Sequence, residues 1–283
     1  MPRVTLDAVE LSYEVRGSGE AVLLIHGAHI ADALHPLAAQ SALGQFQIIH
    51  YHRRGYALSS RHPGPTTAKD HAADAVALLD HLGVERAHVL GHSYGAMIAL
   101  TLAAAHNERV RSLVLLEPPN LKAPAGAALL DIAAALAERY RTGDPAGAVD
   151  GFLELISPTW RAIINGSVQG GVEQAENDAA TFFDVELAGI GSWSFEAEEA
   201  QAVTCPVLSV LGTASGPLFD QGRVQLHTWL PHCQDLDIAG ATHFLPMERP
   251  AEIAAALASF LQTSKSRLLR LGGSLARPEG IRP

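Results

Sequence analysis

Hydrophobic and polar positions follow two rhythms along the chain. Residues 4–6 and 11–15 alternate apolar with polar, the period of a strand with one buried face, and predict an antiparallel pair at a sheet edge. Short, nearly unbroken apolar runs follow at 21–25, 47–51, 87–90, 113–116, 207–211 and 234–238. Their length, and the Gly, Pro or His that bounds most of them, suit strands buried on both faces. Between them, helical spacing appears over 32–43, 67–82, 95–106, 219–230 and 251–261. Strand and helix in alternation predict an α/β protein with a mostly parallel central sheet flanked by helices. The rhythm breaks once, where Ala-rich helical stretches at 123–141, 146–156 and 172–187 succeed one another without a strand. They read as a helical cap insertion, residues 120–202, roofing the C-terminal ends of the strands. The core is then 1–119 with 203–261, and 262–283 is a basic tail, read as a loose end.

Charge narrows the partners. Lys and Arg number 20 against 30 Asp and Glu, a net charge of −10, so the field repels phosphate backbones and anionic lipid. Neither nucleic acid nor membrane is an expected partner; a small-molecule substrate is, and a homodimer is allowed. Lys265, Arg267, Arg270, Arg277 and Arg282 sit in the tail beside one acid, Glu279, which leaves the body more acidic than the total. Cys205 and Cys233 read as small buried hydrophobes. The N-terminal residues lack the apolar run of a secretory leader, and no run approaches the roughly 18 residues of a membrane span, so a cytoplasmic location is expected.

Chemistry concentrates in Gly91-His92-Ser93-Tyr94-Gly95, which follows an apolar strand and opens a small-residue helix. Such a strand–turn–helix holds its serine in a strained conformation, and side chains at 91 and 95 would obstruct the crossing. The reward is a hydroxyl exposed at a helix N-terminus, where free N–H groups favour developing negative charge.

With that segment, Val22-Leu-Leu-Ile-His26-Gly27-Ala28 and Tyr51-His-Arg-Arg-Gly55-Tyr56-Ala-Leu-Ser59, the chain resembles the α/β-hydrolase superfamily over roughly residues 4–261. The second loop departs from the family's Arg-Gly-x-Gly-x-Ser pattern, with Ala57 or Leu58 where a further Gly is usual. The resemblance implies Ser93 as nucleophile and the backbone N–H groups of Ala28 and Tyr94 as oxyanion donors. Fourteen histidines leave composition unable to choose a base. Position does: the turn Gly240-Ala-Thr-His243-Phe-Leu-Pro246, after the last strand, matches the family's catalytic histidine. His26 then reads as a loop brace, and His92 as a structural residue pointing away from the site.

The acid departs from the commonest pattern. The loop after 207–211 is Gly212-Thr-Ala-Ser215-Gly-Pro217, without a carboxylate. Glu117 ends the strand at 113–116 and is costly there unless paired, so it is the expected partner of His243. Asp220, at the start of the next helix, is the alternative, with a water or another residue behind it. His29, Asp32 and His35 are spaced i, i+3, i+6, which spreads ligands around a helix, so no metal is expected; no nucleotide fingerprint follows a strand, so no cofactor is either. His29, Trp193 and Phe195 are the expected substrate contacts. The implied activity is a serine hydrolase of a small apolar ester or lactone; a cofactor-free perhydrolase, a carbon–carbon hydrolase and a receptor that keeps the site remain as alternatives.

Overall fold

In a computed structural model the described residues are 1–7 and 9–272, with side chains through Thr263. Eight strands form one sheet: β1 (Arg3–Leu6), β2 (Val9–Arg16), β3 (Ala21–Ile25), β4 (Gln47–Tyr51), β5 (Ala87–His92), β6 (Val110–Leu116), β7 (Val207–Gly212) and β8 (Gln234–Ile238). Their order is β1-β2-β4-β3-β5-β6-β7-β8, antiparallel at β1/β2 and β2/β4 and parallel elsewhere. β3 and β5 to β7 are buried along their whole length or nearly so, which is why they read as continuous apolar runs. β8 departs from that expectation. As the far edge it exposes Gln234, Asp235 and Asp237, and the alternation in Gln-Asp-Leu-Asp-Ile is that of a strand with one covered face.

In the first half, α1 (His35–Ala38), α2 (Ala68–His81) and α3 (Tyr94–Ala105) follow β3, β4 and β5. Thr67 and Asp70 close a capping box that starts α2. Between β6 and β7 lie α4 (Pro124–Arg141), α5 (Pro145–Ile156), α6 (Trp160–Ser167), α7 (Gly171–Asn177), a π-helical turn (Thr181–Glu186), α8 (Leu187–Gly191) and α9 (Ala197–Ala202), with no strand among them. The chain closes with α10 (Pro217–Trp229), α11 (Leu245–Glu248) and α12 (Pro250–Gly272). α12 runs eleven residues beyond the expected stop at 261, through a stretch with neither Pro nor Gly until Gly272. The tail from 273 onward lies outside the described residues.

Two apolar clusters cover the two faces of the sheet. One joins α2, α3 and the inserted helices through Leu78, Ile98 and Trp160; the other joins α1 and α12 through Leu37 and Leu257. The strand order reverses at β3, whose neighbours are β4 and β5. A crevice beyond the C-terminal ends of β3 and β5 is where such sheets bind ligands, and the inserted helices sit over it.

Candidate active site

Ser93 stands between β5 and α3 with φ 56° and ψ −123°, a conformation strained for a residue with a side chain. Glycine on each side makes it attainable. A Cβ on Gly91 would collide with the Gly95 carbonyl, and one on Gly95 with the carbonyl of Ile25. The Ser93 N–H is held by the Leu116 carbonyl at 2.8 Å, which anchors the turn to β6.

Ser93, His243, Ala28 and Tyr94 line one cavity. Tyr94 is the first residue of α3, so its N–H has no carbonyl within the helix to accept it. Ala28 follows the His26-Gly27 turn at the end of β3, and Gly27 lies so close to the serine that a Cβ on it would be 3.0 Å from Ser93 Cβ. His26 braces that turn: its Nδ1–H donates to the Gly27 carbonyl at 2.7 Å, and its Nε2 accepts the Arg53 N–H at 3.0 Å.

His243 sits on the turn between β8 and α11, buried, and its Nδ1–H donates to Glu117 Oε2 at 2.5 Å. Glu117 directly follows β6 with φ 53°, a second strained residue beside the first. Its other oxygen accepts from the Gly212 N–H and the Ser215 hydroxyl, both at 2.6 Å. The loop that lacks a carboxylate thus supplies the donors that hold one arriving from the neighbouring strand. Asp220 is exposed in the first turn of α10 and faces no part of this pair. Burial pushes the Glu117 carboxyl up to about 7, against the hydrogen bonds from Ser215 and Gly212. The same burial pushes His243 down to about 3, keeping the imidazole neutral.

Three expected contacts lie elsewhere. Trp193 and Phe195 stack on each other at 5.8 Å and pack against Trp229, beside a separate small recess. The Trp193 indole N–H donates to Thr101 Oγ1 on α3, so these rings fasten the inserted helices to the core rather than touch the cavity. His29 lies behind the cavity wall, 4.2 Å from the ring of Phe182, with both ring nitrogens buried and unpartnered. The φ of 64° at His29 turns its side chain into this apolar packing.

A model of the α/β-hydrolase fold family matches residues 20–157. A thermophilic esterase from Thermogutta terrifontis superposes over 93% of this chain and 99% of its own, with TM-score 0.78 and 22% identity, a likeness of fold. The chain has the α/β-hydrolase fold. Among curated relatives, a putative carbamate hydrolase, RutD, from Azorhizobium caulinodans is 36% identical over 41% of this chain and 43% of its own length. That match spans less than half of the relative. A 2-hydroxymuconate semialdehyde hydrolase from Pseudomonas putida is 27% identical over 87% of this chain and 88% of its own.

Several side chains of this site were not legible as such. Phe219 stacks flat on the His243 ring at 3.9 Å. His92 does not point away: its Nε2–H donates to the His243 carbonyl at 2.9 Å, steadying the turn that carries the imidazole. Arg53 is wholly buried and donates to the carbonyls of His26 and Gly27. Its charge is met by Glu186, from the π-helical turn, which also accepts the Tyr56 hydroxyl at 2.7 Å and contacts His71 Nε2 at 2.9 Å. Burial alone would raise the Glu186 carboxyl; Arg53 and His71 outweigh it and hold it down at about 2. Gln174 on α7 grips the same loop, donating to the His29 carbonyl and accepting the Ala31 N–H. The inserted helices therefore reach down to the loop that bears Ala28. Arg53 directly after the apolar run 47–51 is the one mark of this in the sequence, and only the structure shows it buried.

Proposed function

We propose that this protein cleaves a small, uncharged, apolar carboxylic ester or lactone through an acyl-Ser93 intermediate. The observation that carries the reading is the cavity around Ser93 and His243: among the described residues its wall is apolar apart from a few polar side chains, and holds no Asp, Glu, Lys or Arg. Leu129, Phe152, Phe182, Ile190 and Met97 surround the space beside the serine, which suits an aliphatic or ring portion of a substrate.

In this mechanism His243 Nε2 takes the Ser93 hydroxyl proton as Oγ bonds to the substrate carbonyl carbon. Glu117 holds the Nδ1 proton and stabilises the imidazolium that forms. The carbonyl oxygen, now an oxyanion, receives the N–H groups of Ala28 and Tyr94. Collapse breaks the bond to the leaving alcohol, whose oxygen takes the proton from His243. A water then repeats the sequence on the acyl-serine and releases the acid.

Carbon–carbon hydrolysis by the same Ser93 and His243 is the second reading, favoured by the Pseudomonas putida relative, whose match runs nearly end to end. A muconate-type substrate carries a carboxylate, however, and the cavity wall offers it no cation. The experiment is a panel of p-nitrophenyl esters of increasing acyl length, neutral lactones, and dienoate substrates bearing a carboxylate. Turnover of neutral esters or lactones, weak or absent for the dienoates, supports the proposal. Turnover confined to the dienoates, or one slow cycle with no multiple turnover, overturns it.

A further inference from the structure

We propose that Asp32, His50 and His52 form a binding site for a divalent transition cation of the zinc class, outside the wall of the Ser93 cavity. His29, Asp32 and His35, close in sequence, do not come together in the fold. His29 turns into the apolar packing under Phe182, and His35 takes a hydrogen bond from Arg16 at 2.8 Å. Asp32 instead meets two histidines from the neighbouring strand.

The backbone brings them together. β4 lies beside β3 in parallel register, and the turn leaving β3 carries Asp32 back across the end of β4. His50 and His52 are two residues apart at that end, so they share a side of the chain. His52 Nε2 is 3.0 Å from Asp32 Oδ1, and His50 Nε2 is 3.9 Å from the same oxygen. One donor atom from each residue lies within 4.8 Å of the other two.

His50 is the decisive member. It is 3% exposed, and its Nε2 has no hydrogen-bond partner. The ring also hydrogen-bonds the Ala31 backbone, a bond that falls to Nδ1 because Nε2 is unpartnered, and this leaves a lone pair on Nε2, 3.9 Å from Asp32 Oδ1. A ring nitrogen fixed by a backbone carbonyl with its opposite nitrogen free is the usual arrangement behind a metal-bound histidine. A buried acceptor left unpaired costs free energy, and a cation bridging it to the carboxylate removes that cost.

Tetrahedral zinc with bonds of about 2.0–2.1 Å places its ligands roughly 3.3 Å apart, so the cluster needs only a modest contraction. Asp32 can provide it, because it sits on a turn with its side chain about one-third exposed. That exposure also leaves a position for water. Binding moves the proton on His52 Nε2 to Nδ1 and gives up a 3.3 Å contact there from the Leu58 N–H. The charge of Arg16 nearby is offset by Glu14, which accepts from it at 2.7 Å and is the cross-strand neighbour of His50. Two imidazoles and a carboxylate favour zinc, cobalt or nickel over magnesium or calcium.

The test uses the full chain, stripped with a chelator and dialysed, then titrated with Co²⁺ as a spectroscopic probe and with Zn²⁺ in competition. The proposal expects one equivalent of Co²⁺ with the ligand-field absorption of a nitrogen and oxygen site, displaced by Zn²⁺, and a thermal midpoint that rises with Zn²⁺. Asp32→Asn and His50→Gln should each weaken binding at least about tenfold. Circular dichroism checks both for folding, and Asp32→Asn alone suffices should His50→Gln unfold. His227→Gln, at the exposed pair of His227 with Asp235, should bind as wild type does. No saturable Co²⁺ uptake, or uptake lost in His227→Gln and kept in Asp32→Asn, overturns the site.

Discussion

At the residue scale, two backbone strains adjoin each other. Ser93 and Glu117 both hold positive φ at the ends of neighbouring strands, and Ser93 N–H bonds to the residue before Glu117. Each is a few kcal/mol at most, about 1–3, and the surrounding sheet fixes it. Glu117 is the residue on which the reading departs from the commonest family pattern. If it orients His243, Glu117→Gln should lower kcat by up to about ten-thousandfold, because an amide can favour the wrong imidazole tautomer. Asp220→Asn, on an exposed turn, should leave the rate alone and cost below about 1 kcal/mol of stability. Comparison at equal folded fraction separates rate from unfolding; equal losses in the two variants would remove Glu117 from the role.

The same pair sets the pH dependence. With His243 neutral the pair carries one negative charge, and burial favours uptake of one further proton, which leaves no base for Ser93. Glu117 pushed up to about 7 places that uptake near neutrality. The expected kcat/KM profile rises in a single step around pH 7 and then levels off, and it belongs to the pair. A rate unchanged from about pH 5 to about pH 9 would contradict it.

At the scale of elements, strands and motifs were the legible part. Buried parallel strands are continuous apolar runs, and the elbow needs its glycines, so both leave marks in the chain. What was hidden depends on contacts between segments far apart in sequence. Trp193 and Phe195 look like pocket residues from their Gly and Ser neighbours, but Thr101 and Trp229 decide where they pack. Glu186 looks like an ordinary helical acid, yet it is fully buried against Arg53 across 133 residues.

Removing the charge of Glu186 would leave a buried guanidinium unpaired. Glu186→Gln should therefore destabilise by about 3–5 kcal/mol in urea, and a double change to Arg53→Met with Glu186→Leu should cost less than the single one. A single variant as stable as wild type would show that the pair does not hold the inserted helices to the loop bearing Ala28. The pair also has a pH signature. The folded value of Glu186 is depressed, from the ordinary 4.5 to about 2. Its contribution is thus present above about pH 4.5 and lost as pH falls toward 2, so wild type and Glu186→Gln should converge in stability in acid.

For the whole molecule, an acidic chain with net charge −10 folds around a cavity without a charged wall residue among those described. For the proposed hydrolysis, the first would disfavour anionic substrates by repulsion at a distance and the second any charged one by desolvation. No helix among the described residues is long and apolar enough to cross a membrane. Everything in the proposed chemistry converges on one oxygen atom, Ser93 Oγ. Intact-protein mass spectrometry after reaction with a fluorophosphonate, followed by peptide mapping, tests it most directly. The account predicts a single adduct, on Ser93, formed in step with loss of esterase activity and absent from a folded Ser93→Ala variant with only residual turnover. Activity that survives without an adduct, or an adduct on another residue, would contradict it.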